Sequence, residues 1–131
     1  MASIFSKIIE GQIPSYKIAE TEDFLAFLDV FPLMEGHVLV VPKKEIDNIL
    51  DLPPELYTAL FSFTQKIGKA IEAAIPCKKV GIAVIGLEVP HAHIHLVPIN
   101  SADDLNFIRS KLTLSKENFA SIQEAIVSKL S

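Results

Sequence analysis

Apolar residues recur along this chain at two spacings, and each spacing predicts one kind of secondary structure. Segments in which they alternate with other residues, or run on for five or six positions, are typical of strands. Segments in which they recur at three- and four-residue steps are typical of amphipathic helices. The sequence therefore predicts strands over residues 16–20, 24–29, 37–42, 78–87 and 91–97, and helices over residues 4–9, 55–74 and 115–130.

The ends of the predicted helices carry residues suited to those positions. Ser3 and Ser115 precede the first and last helices, where a serine side chain can accept a backbone N–H as an N-cap. Gly11 is suited to stop the first helix. The long helix opens at Pro53–Pro54, since proline is tolerated in a first turn, and Pro76 ends it.

The order of the predicted elements favours an α+β fold with a largely antiparallel sheet, because strands outnumber helices and mostly follow one another. The strand from His37 to Pro42 has apolar residues on both faces, which predicts a central position. A turn over residues 86–89 joins the fourth predicted strand to the fifth as a hairpin. No repeat, linker or boundary interrupts residues 1–131, so we expect one domain.

Composition narrows the class of protein. The chain has 131 residues, half of them apolar and 21% charged, which indicates a globular domain with a real core. The net charge is −4 with no basic run, which argues against a nucleic-acid polymer as partner but allows a single nucleotide. Because the sequence has one cysteine and no signal-peptide or membrane-spanning pattern, we expect a soluble cytoplasmic protein without a disulfide.

Three of the four histidines occupy alternate positions between Pro90 and Pro98. Because side chains alternate along a strand, His91, His93 and His95 should share one face, while the intervening apolar residues enter the core. Successive imidazoles would lie about 6.6 Å apart. The pattern predicts a half-buried strand whose exposed face is chemically active.

A metal site is one interpretation of these histidines. His91 and His95 would lie about 13 Å apart along a strand, too far to share one ion. Two histidines of the group together with His37 remain a possible ligand set, and this alternative stays open.

Residues 91–97 have a further property, which is a match to a family motif. In its whole pattern of histidines and apolar residues the segment resembles the signature of the histidine triad (HIT) superfamily, in its nucleotide-binding branch. Segments around residues 4–9, 26–29 and 36–43 resemble family segments in the family order. The resemblance covers about residues 3–100 and implies the HIT fold, with a five-stranded sheet.

The resemblance implies covalent nucleotidyl transfer without a cofactor. His93 would attack the α-phosphorus of a nucleoside monophosphate derivative, and water would then release the nucleoside monophosphate. His91 and His95 would hold the phosphate oxygens, and His37 would support them. Such chemistry is reasonable because an imidazole is mostly neutral at pH 7 and needs no separate base.

The resemblance also implies a nucleotide pocket. Asp29 would accept hydrogen bonds from the ribose hydroxyls, although an aspartate at a strand end is also suited to cap a turn. The apolar residues expected around the base, for which plain core packing is the alternative, are Ile4, Phe5, Ile8, Phe27 and Val30.

The chain departs from the family pattern at two places. Zinc-bearing relatives carry two cysteines and a histidine where this chain has Ser3, Ser6 and Glu45, so we expect no structural zinc. Relatives also place an asparagine and a Gly-Gln-Ser/Thr stretch before the triad, and here the matching stretch holds no asparagine and contains Gly86-Leu87-Glu88. Gly86 is an expected nucleotide contact, and Glu88 would contact an amine leaving group or face solvent.

Three functions remain as hypotheses. The first is a hydrolase that cleaves nucleoside phosphoramidates, related nucleotide esters or dinucleotides through His93. The second is a nucleotide-binding regulatory module with little turnover, and the third a metal-dependent hydrolase using His37 and two triad histidines. We also expect a homodimer, since the resemblance implies pairing through the long helix and the fourth strand. The sequence is compatible with it, because residues 78–87 have apolar side chains on both faces and no proline or inward-pointing charge to protect an edge.

Overall fold

The chain forms one five-stranded sheet with helices packed on it. The computed structural model describes residues 2–130. In chain order the elements are α1 Ile4–Ile9, β1 Lys17–Glu20, β2 Phe24–Leu28, β3 Val38–Pro42, α2 Pro54–Ala74, β4 Lys79–Ala83, β5 Ile94–Ile99 and α3 Lys116–Val127, with short 3-10 turns at Ile49–Asp51 and Ala102–Leu105. The strand order is β1-β2-β3-β5-β4, and every neighbouring pair is antiparallel. The predicted fold class is confirmed, and β3 is central as expected.

The two faces of the sheet pack against different partners. Helices α2 and α3 cover one face and bury the main core with it. The other face carries a smaller cluster in which Phe5 of α1 packs with Leu25, Phe27, Leu39 and Val41. His95 pairs with Leu39 across β5 and β3, and paired residues of an antiparallel ladder point to the same face. The histidines therefore belong to the face that α1 covers.

The helices begin where their caps predict. Ser3 accepts the Ser6 N–H and Ser115 accepts the Asn118 N–H, so each serine satisfies a backbone donor that the first turn leaves free. Pro54 is the first residue of α2, and its missing N–H is no loss there. The buried stripe of α2 includes Thr64, a polar residue that its periodicity did not point to. Its hydroxyl donates to the Leu60 carbonyl, which removes the cost of burying it.

The largest differences from the predicted strand boundaries are in the fourth and fifth strands. The fourth strand ends at Ala83 and not at Leu87, and the fifth begins at Ile94, so His91 and His93 precede it. The β3–β5 ladder ends at the Val40–Ile94 pair and the β4–β5 ladder ends at the Ala83–His95 pair, so neither strand has a ladder partner beyond these positions. The Ala92 N–H donates instead to the Ile46 carbonyl, at 2.7 Å. Residues 84–93 are consequently a ten-residue connection and not a tight turn.

The prediction that the three histidines lie on an exposed face of the strand is also wrong. His91, His93 and His95 are only 0%, 6% and 9% exposed, because α1 packs over this face of the sheet. Within residues 2–130, no helix is long and apolar enough to cross a membrane.

Candidate active site

The four histidines form one buried group on the α1 face of the sheet. The rings of His93 and His95 lie 4.9 Å apart between centroids, and those of His37 and His95 lie 5.3 Å apart. The distance between His93 and His95 is shorter than the about 6.6 Å expected along a regular strand. His37 lies directly before β3 and is 1% exposed. The structure thus brings together the residues that the sequence predicted as catalytic.

His91 is held at both ring nitrogens. Its Nε2 lies 2.7 Å from the Pro42 carbonyl oxygen, and its Nδ1 lies 2.8 Å from the Ser3 hydroxyl. A carbonyl oxygen can only accept, so Nε2 of the neutral ring carries the proton and Nδ1 accepts from the Ser3 hydroxyl. Neither nitrogen is left for a ligand. The expected contact between His91 and a phosphate oxygen is therefore absent from this arrangement.

His93 has the opposite tautomer. Its Nδ1 lies 2.7 Å from the His91 carbonyl oxygen and must carry the proton, which leaves the lone pair on Nε2. Within residues 2–130, every buried side-chain nitrogen and oxygen has a hydrogen-bond partner, whereas this Nε2 has none, so it reaches the surface. Burial lowers the pKa of His93, although its bond to the His91 carbonyl opposes that effect. The ring is thus neutral, oriented and open at one nitrogen.

The tautomer of His95 follows from a series of hydrogen bonds that begins at the Leu33 N–H. The Leu33 N–H donates to Nδ1 of His37 at 3.0 Å, so the proton of neutral His37 is on Nε2. That Nε2 donates to Nδ1 of His95 at 3.0 Å, which places the proton of His95 on its own Nε2. His95 therefore presents an N–H donor beside the lone pair of His93.

The charged forms of these two rings are disfavoured. Burial lowers the pKa of His37 to about 3, and the positive charges that His95, Lys111 and His93 can carry act in the same direction. Burial likewise lowers the pKa of His95 to about 4, with further contributions from His93 and Lys111. Both rings are consequently neutral at pH 7, as the tautomer assignment requires.

Asp29 lies at the edge of the group. One of its carboxylate oxygens accepts the Phe31 N–H at 2.8 Å, which is the turn cap that the sequence left as an alternative. The other oxygen lies 3.6 Å from Nε2 of His37 and its side chain is 18% exposed. Burial raises the pKa of Asp29 to about 6, and Glu88 adds to this, while the Phe31 N–H and Lys111 oppose it. The cap leaves one oxygen for a ligand.

The five apolar residues expected around the base divide into two groups. Phe5 and Phe27 are buried with ring centroids 5.7 Å apart, and Phe5 also packs edge-on against His93 at 4.9 Å. Ile8 packs against the same cluster and is partly buried. Ile4 and Val30 are about half exposed. Phe5 thus contacts the expected nucleophile, while Ile4 and Val30 lie at the surface nearby.

The loop that departs from the family pattern bounds a cavity beside His93. The cavity has a volume of about 290 Å³, and its wall includes His93, residues 47–49 and residues 84–87. Gly86 has φ +71°, a left-handed conformation that favours glycine. Glu88 is exposed. Gly86 therefore lies at this cavity, and the Glu88 side chain lies outside its wall.

Comparison with known proteins gives the family. The family model of the HIT domain matches residues 10–102, which is most of the chain. This chain belongs to the HIT domain family. An uncharacterised HIT-like protein of Borreliella burgdorferi is 34% identical over 131 residues, covering 94% of each chain. The adenosine 5′-monophosphoramidase HNT1 of Saccharomyces cerevisiae is 37% identical over 98 residues, covering 74% of this chain and 62% of the yeast protein.

Solved structures agree with this assignment. A Hit-like protein of Bartonella henselae, described as involved in cell-cycle regulation, superposes with a TM-score of 0.86 at 29% identity. The match covers 98% of this chain and 96% of the other. The resemblance to the histidine triad superfamily and the HIT fold expected from it are thereby confirmed.

This chain has a different set of side chains at the positions that bind zinc in some HIT relatives. At the corresponding positions Ser3 and Ser6 bring neutral hydroxyls, whereas structural zinc sites are built from thiolates, imidazoles and carboxylates. Nδ1 of His91, the nearby imidazole nitrogen, already accepts the Ser3 hydroxyl proton. Glu45 Oε1 accepts both the Ser3 N–H and the Ser6 hydroxyl. These residues do not fit a zinc ion.

A second possible metal cluster lies inside the HIT histidine group. Ligand atoms of Asp29, His37 and His95 lie within 4.8 Å of one another. The Leu33 N–H nevertheless occupies Nδ1 of His37, and the neutral ring then needs its proton on Nε2, the atom that would face the ion. A metal there would have to displace that proton. The hydrogen bonds therefore favour the metal-free arrangement.

The sequence analysis missed one contact of the site. Phe107 packs edge-on against His95 at 4.6 Å and against His37 at 6.2 Å. Arg109 holds the segment around Phe107 in place. Its guanidinium donates to the Leu33 carbonyl at 2.8 Å and forms ion pairs with Asp103 and Asp104. Phe107 lies beyond the part of the chain that matches the family model, in a stretch without periodicity, so no local signal marked it.

Proposed function

We propose that this HIT-family chain is a nucleotide hydrolase that cleaves the α-phosphate bond of nucleoside phosphoramidates, related nucleotide esters or dinucleotides. The reaction would pass through a covalent nucleotidyl intermediate on His93. The proposal extends to this chain the activity class that the yeast relative's name states. Among the substrates, a nucleoside phosphoramidate is the first to test.

One observation carries the proposal, the tautomer of His93. Its Nδ1–H is bound to the His91 carbonyl at 2.7 Å, so the nucleophilic lone pair is on the nitrogen that reaches the surface. Attack on phosphorus leaves a positive charge on the imidazole. The same carbonyl oxygen stabilises that charge without any movement, because it already accepts the Nδ1–H.

The reaction has two steps. In the first, the Nε2 lone pair of His93 forms a bond to the α-phosphorus while the bond from phosphorus to the leaving group breaks, and the leaving group departs with that electron pair and a proton from solvent. In the second, water attacks phosphorus, the bond to His93 breaks, and its electron pair returns to Nε2. The water proton passes to solvent, and the product is a nucleoside monophosphate.

The neighbouring residues take different parts. The Nε2–H of His95 would donate to a phosphate oxygen whose negative charge grows during attack. Asp29 would accept a ribose hydroxyl with its second oxygen, and Phe5 and Phe27 would form the wall beside the base, with Ile4, Ile8 and Val30 around it. The cavity at Gly86 would take the leaving group, with Glu88 available to an amine.

A nucleotide-binding module with little turnover is the second candidate, and one observation favours it. The loop that bounds the cavity supplies Val84, Ile85 and Leu87, which offer no side-chain donor to a leaving group. Such a site would bind a nucleoside monophosphate and release it unchanged. The metal-dependent hydrolase is less well supported, because the Leu33 N–H holds His37 in a tautomer that turns a proton towards the would-be ion.

Mass spectrometry of acid- and base-quenched samples tests the covalent step. Wild-type protein mixed with adenosine phosphoramidate should show a nucleotidyl adduct that survives base, and His93→Ala should show none under the same conditions. Absence of any adduct and of any turnover in the wild type, with nucleotide binding intact, would favour the binding module. Loss of turnover on thorough chelation would favour the metal-dependent reaction.

We also propose a homodimer. In the five-stranded sheet β4 is an edge strand, and exposed apolar side chains lie in it and just after it, among them Ile82, 57% exposed, and Leu87, 88% exposed. Such an edge invites pairing with a second copy. Sedimentation at micromolar concentration should give twice the 14.4 kDa mass of the chain. A species of 14.4 kDa alone would contradict the dimer.

A further inference from the structure

Ser3 is the junction of a hydrogen-bonded group that joins α1, the segment after β3 and the triad. Its buried hydroxyl accepts the Ser6 N–H at 3.0 Å and lies 2.8 Å from Nδ1 of His91. Its backbone N–H donates to Glu45 Oε1 at 2.7 Å, and the Ser6 hydroxyl donates to the same oxygen at 2.6 Å. We call Ser3, Ser6, Glu45 and His91 the serine clamp.

The donors and acceptors of the clamp match without an ion. A hydroxyl has a single proton, and since the Ser6 N–H donates to the Ser3 oxygen, that proton is free to go to Nδ1 of His91. The other nitrogen of His91 donates to the Pro42 carbonyl. Every polar atom of the ring is thus satisfied in one tautomer, and the other tautomer would set the Nε2 lone pair against the Pro42 carbonyl oxygen.

We infer that the serine clamp replaces a metal and that Ser3 is a positioning residue for His93. This inference rests on the proposed function only for its kinetic consequence. The link between the two residues is short, because the backbone carbonyl of His91 is the acceptor that holds His93 Nδ1–H. The clamp also fixes α1, whose Phe5 packs against the His93 ring. Ser3 therefore controls both the acceptor and one wall of the nucleophile.

The test compares variants that separate capping from positioning. Ser3→Ala removes the α1 cap and the hydroxyl proton, while Ser3→Thr keeps both. Ser115→Ala is the matched control, since Ser115 caps α3 in the same way and contacts no histidine of the group. For Ser3→Ala we expect kcat to fall about tenfold with KM changed less than twofold. Ser3→Thr and Ser115→Ala should keep kcat within twofold of wild type.

Two measurements do not depend on activity. Nitrogen-15 NMR of the histidine rings should find His91 protonated at Nε2 and unprotonated at Nδ1 in wild type, Ser3→Thr and Ser3→Ala, because the Pro42 carbonyl remains in all three. In Ser3→Ala alone the Nδ1 resonance should shift to that of a nitrogen that accepts no hydrogen bond. Elemental analysis of the purified wild-type protein should find no stoichiometric zinc. These results would stand even if the protein had no turnover at all.

Several outcomes would overturn the inference. One zinc per chain in the wild type would show that the serine clamp does not replace a metal. A His91 protonated at Nδ1 in the wild type would show that Ser3 does not donate to it. If Ser3→Ala and Ser115→Ala lowered kcat equally, or neither lowered it, Ser3 would be a helix cap and nothing more.

Discussion

The two sides of His93 are built from the same residue type but end differently. On one side His91 is fully buried, and both of its nitrogens are bonded to protein groups, the Ser3 hydroxyl and the Pro42 carbonyl. On the other side, a series of hydrogen bonds runs from His37 to His95. It ends at the Nε2–H of His95, which has no protein partner in the described residues. The first side holds His93 through the His91 carbonyl but has no ring nitrogen left for a ligand. The second side offers an N–H to a ligand and contacts His93 through ring packing.

The comparison teaches that equal spacing in the sequence does not give equal roles. Each histidine of the group has a nitrogen that is hydrogen-bonded to a backbone atom or to a neighbouring ring. That hydrogen bond decides which of the two ring nitrogens carries the proton. Which nitrogen is tied depends on the partner: a carbonyl demands a proton and an amide demands a lone pair. In the proposed reaction the four similar rings therefore have different parts. His91 is held at both nitrogens, His93 offers a lone pair and His95 offers an N–H, while His37 supports His95.

The largest expected effect is that of His93→Ala, which removes the atom on which the two sides converge. Turnover of adenosine phosphoramidate should fall by at least about 1,000-fold, because the covalent route is lost. Binding of adenosine monophosphate should change only a few-fold, since the nucleophile acts mainly in the transition state. Steady-state kinetics and calorimetry check both. If His93→Ala kept most of its activity while His91→Asn or His95→Asn lost it all, the assignment of His93 as the nucleophile would be wrong.

Replacing His91 and His95 separately tests the contrast itself. His95→Asn should lower kcat by about 100-fold, the usual scale for a lost donor to the reacting group. His91→Asn should lower kcat less, by about tenfold, but should cost about 1–3 kcal/mol of unfolding free energy, because it leaves buried partners unsatisfied. Urea unfolding and kinetics on both variants give the comparison. Equal effects in both measurements would mean that the two sides do not differ.

Asp29 should affect binding and not the chemical step. Asp29→Asn keeps the cap on the Phe31 N–H but loses a charged acceptor, so binding of a ribonucleotide should weaken by about 1–3 kcal/mol. A 2′,3′-dideoxynucleotide is the control and should bind wild type and variant alike. Because burial raises the pKa of Asp29 to about 6, the neutral side chain should not lower the unfolding free energy at pH 7. An equal loss for both nucleotides would contradict the ribose contact.

The last expected effect is a gradual dependence of stability on pH. The folded-state pKa values of His37 and His95 are lowered from 6.5 to about 3 and about 4, so between pH 6.5 and pH 4 the unfolded chain binds more protons. Their contribution to stability is therefore present above pH 6.5 and is lost as the pH falls. Asp29 acts in the opposite direction between pH 3.8 and about 6 and offsets part of the loss.

The net change should be a fall of about 2–3 kcal/mol in unfolding free energy from pH 7 to pH 5, measured by urea titration. His95→Asn removes one of the responsible rings and should show a smaller fall. A wild-type stability that is flat or higher at pH 5 would mean that these rings are not buried in their neutral forms.

Much of the fold followed from residue patterns that act over a few positions. The helix at residues 4–9 was predictable because Ser3 is a cap and the apolar steps are helical, and the central place of β3 was predictable because both of its faces are apolar. The end of the fourth strand was not. It depends on where its partner strand β5 begins, 11 positions later in the chain than Ala83, and no local pattern around Ala83 records that.

By itself the sequence determined which residues are proposed to carry the chemistry: the alternating histidines, their apolar neighbours and the absence of cysteines at the zinc positions are all visible in it. Only the tertiary structure decided what each histidine can do. The Ser3 hydroxyl and the Pro42 carbonyl that set the tautomer of His91 lie 88 and 49 positions away from it. Phe107 reaches His95 from a segment without periodicity. A proton's place on an imidazole depends on what it faces, and that is known only once the chain has folded.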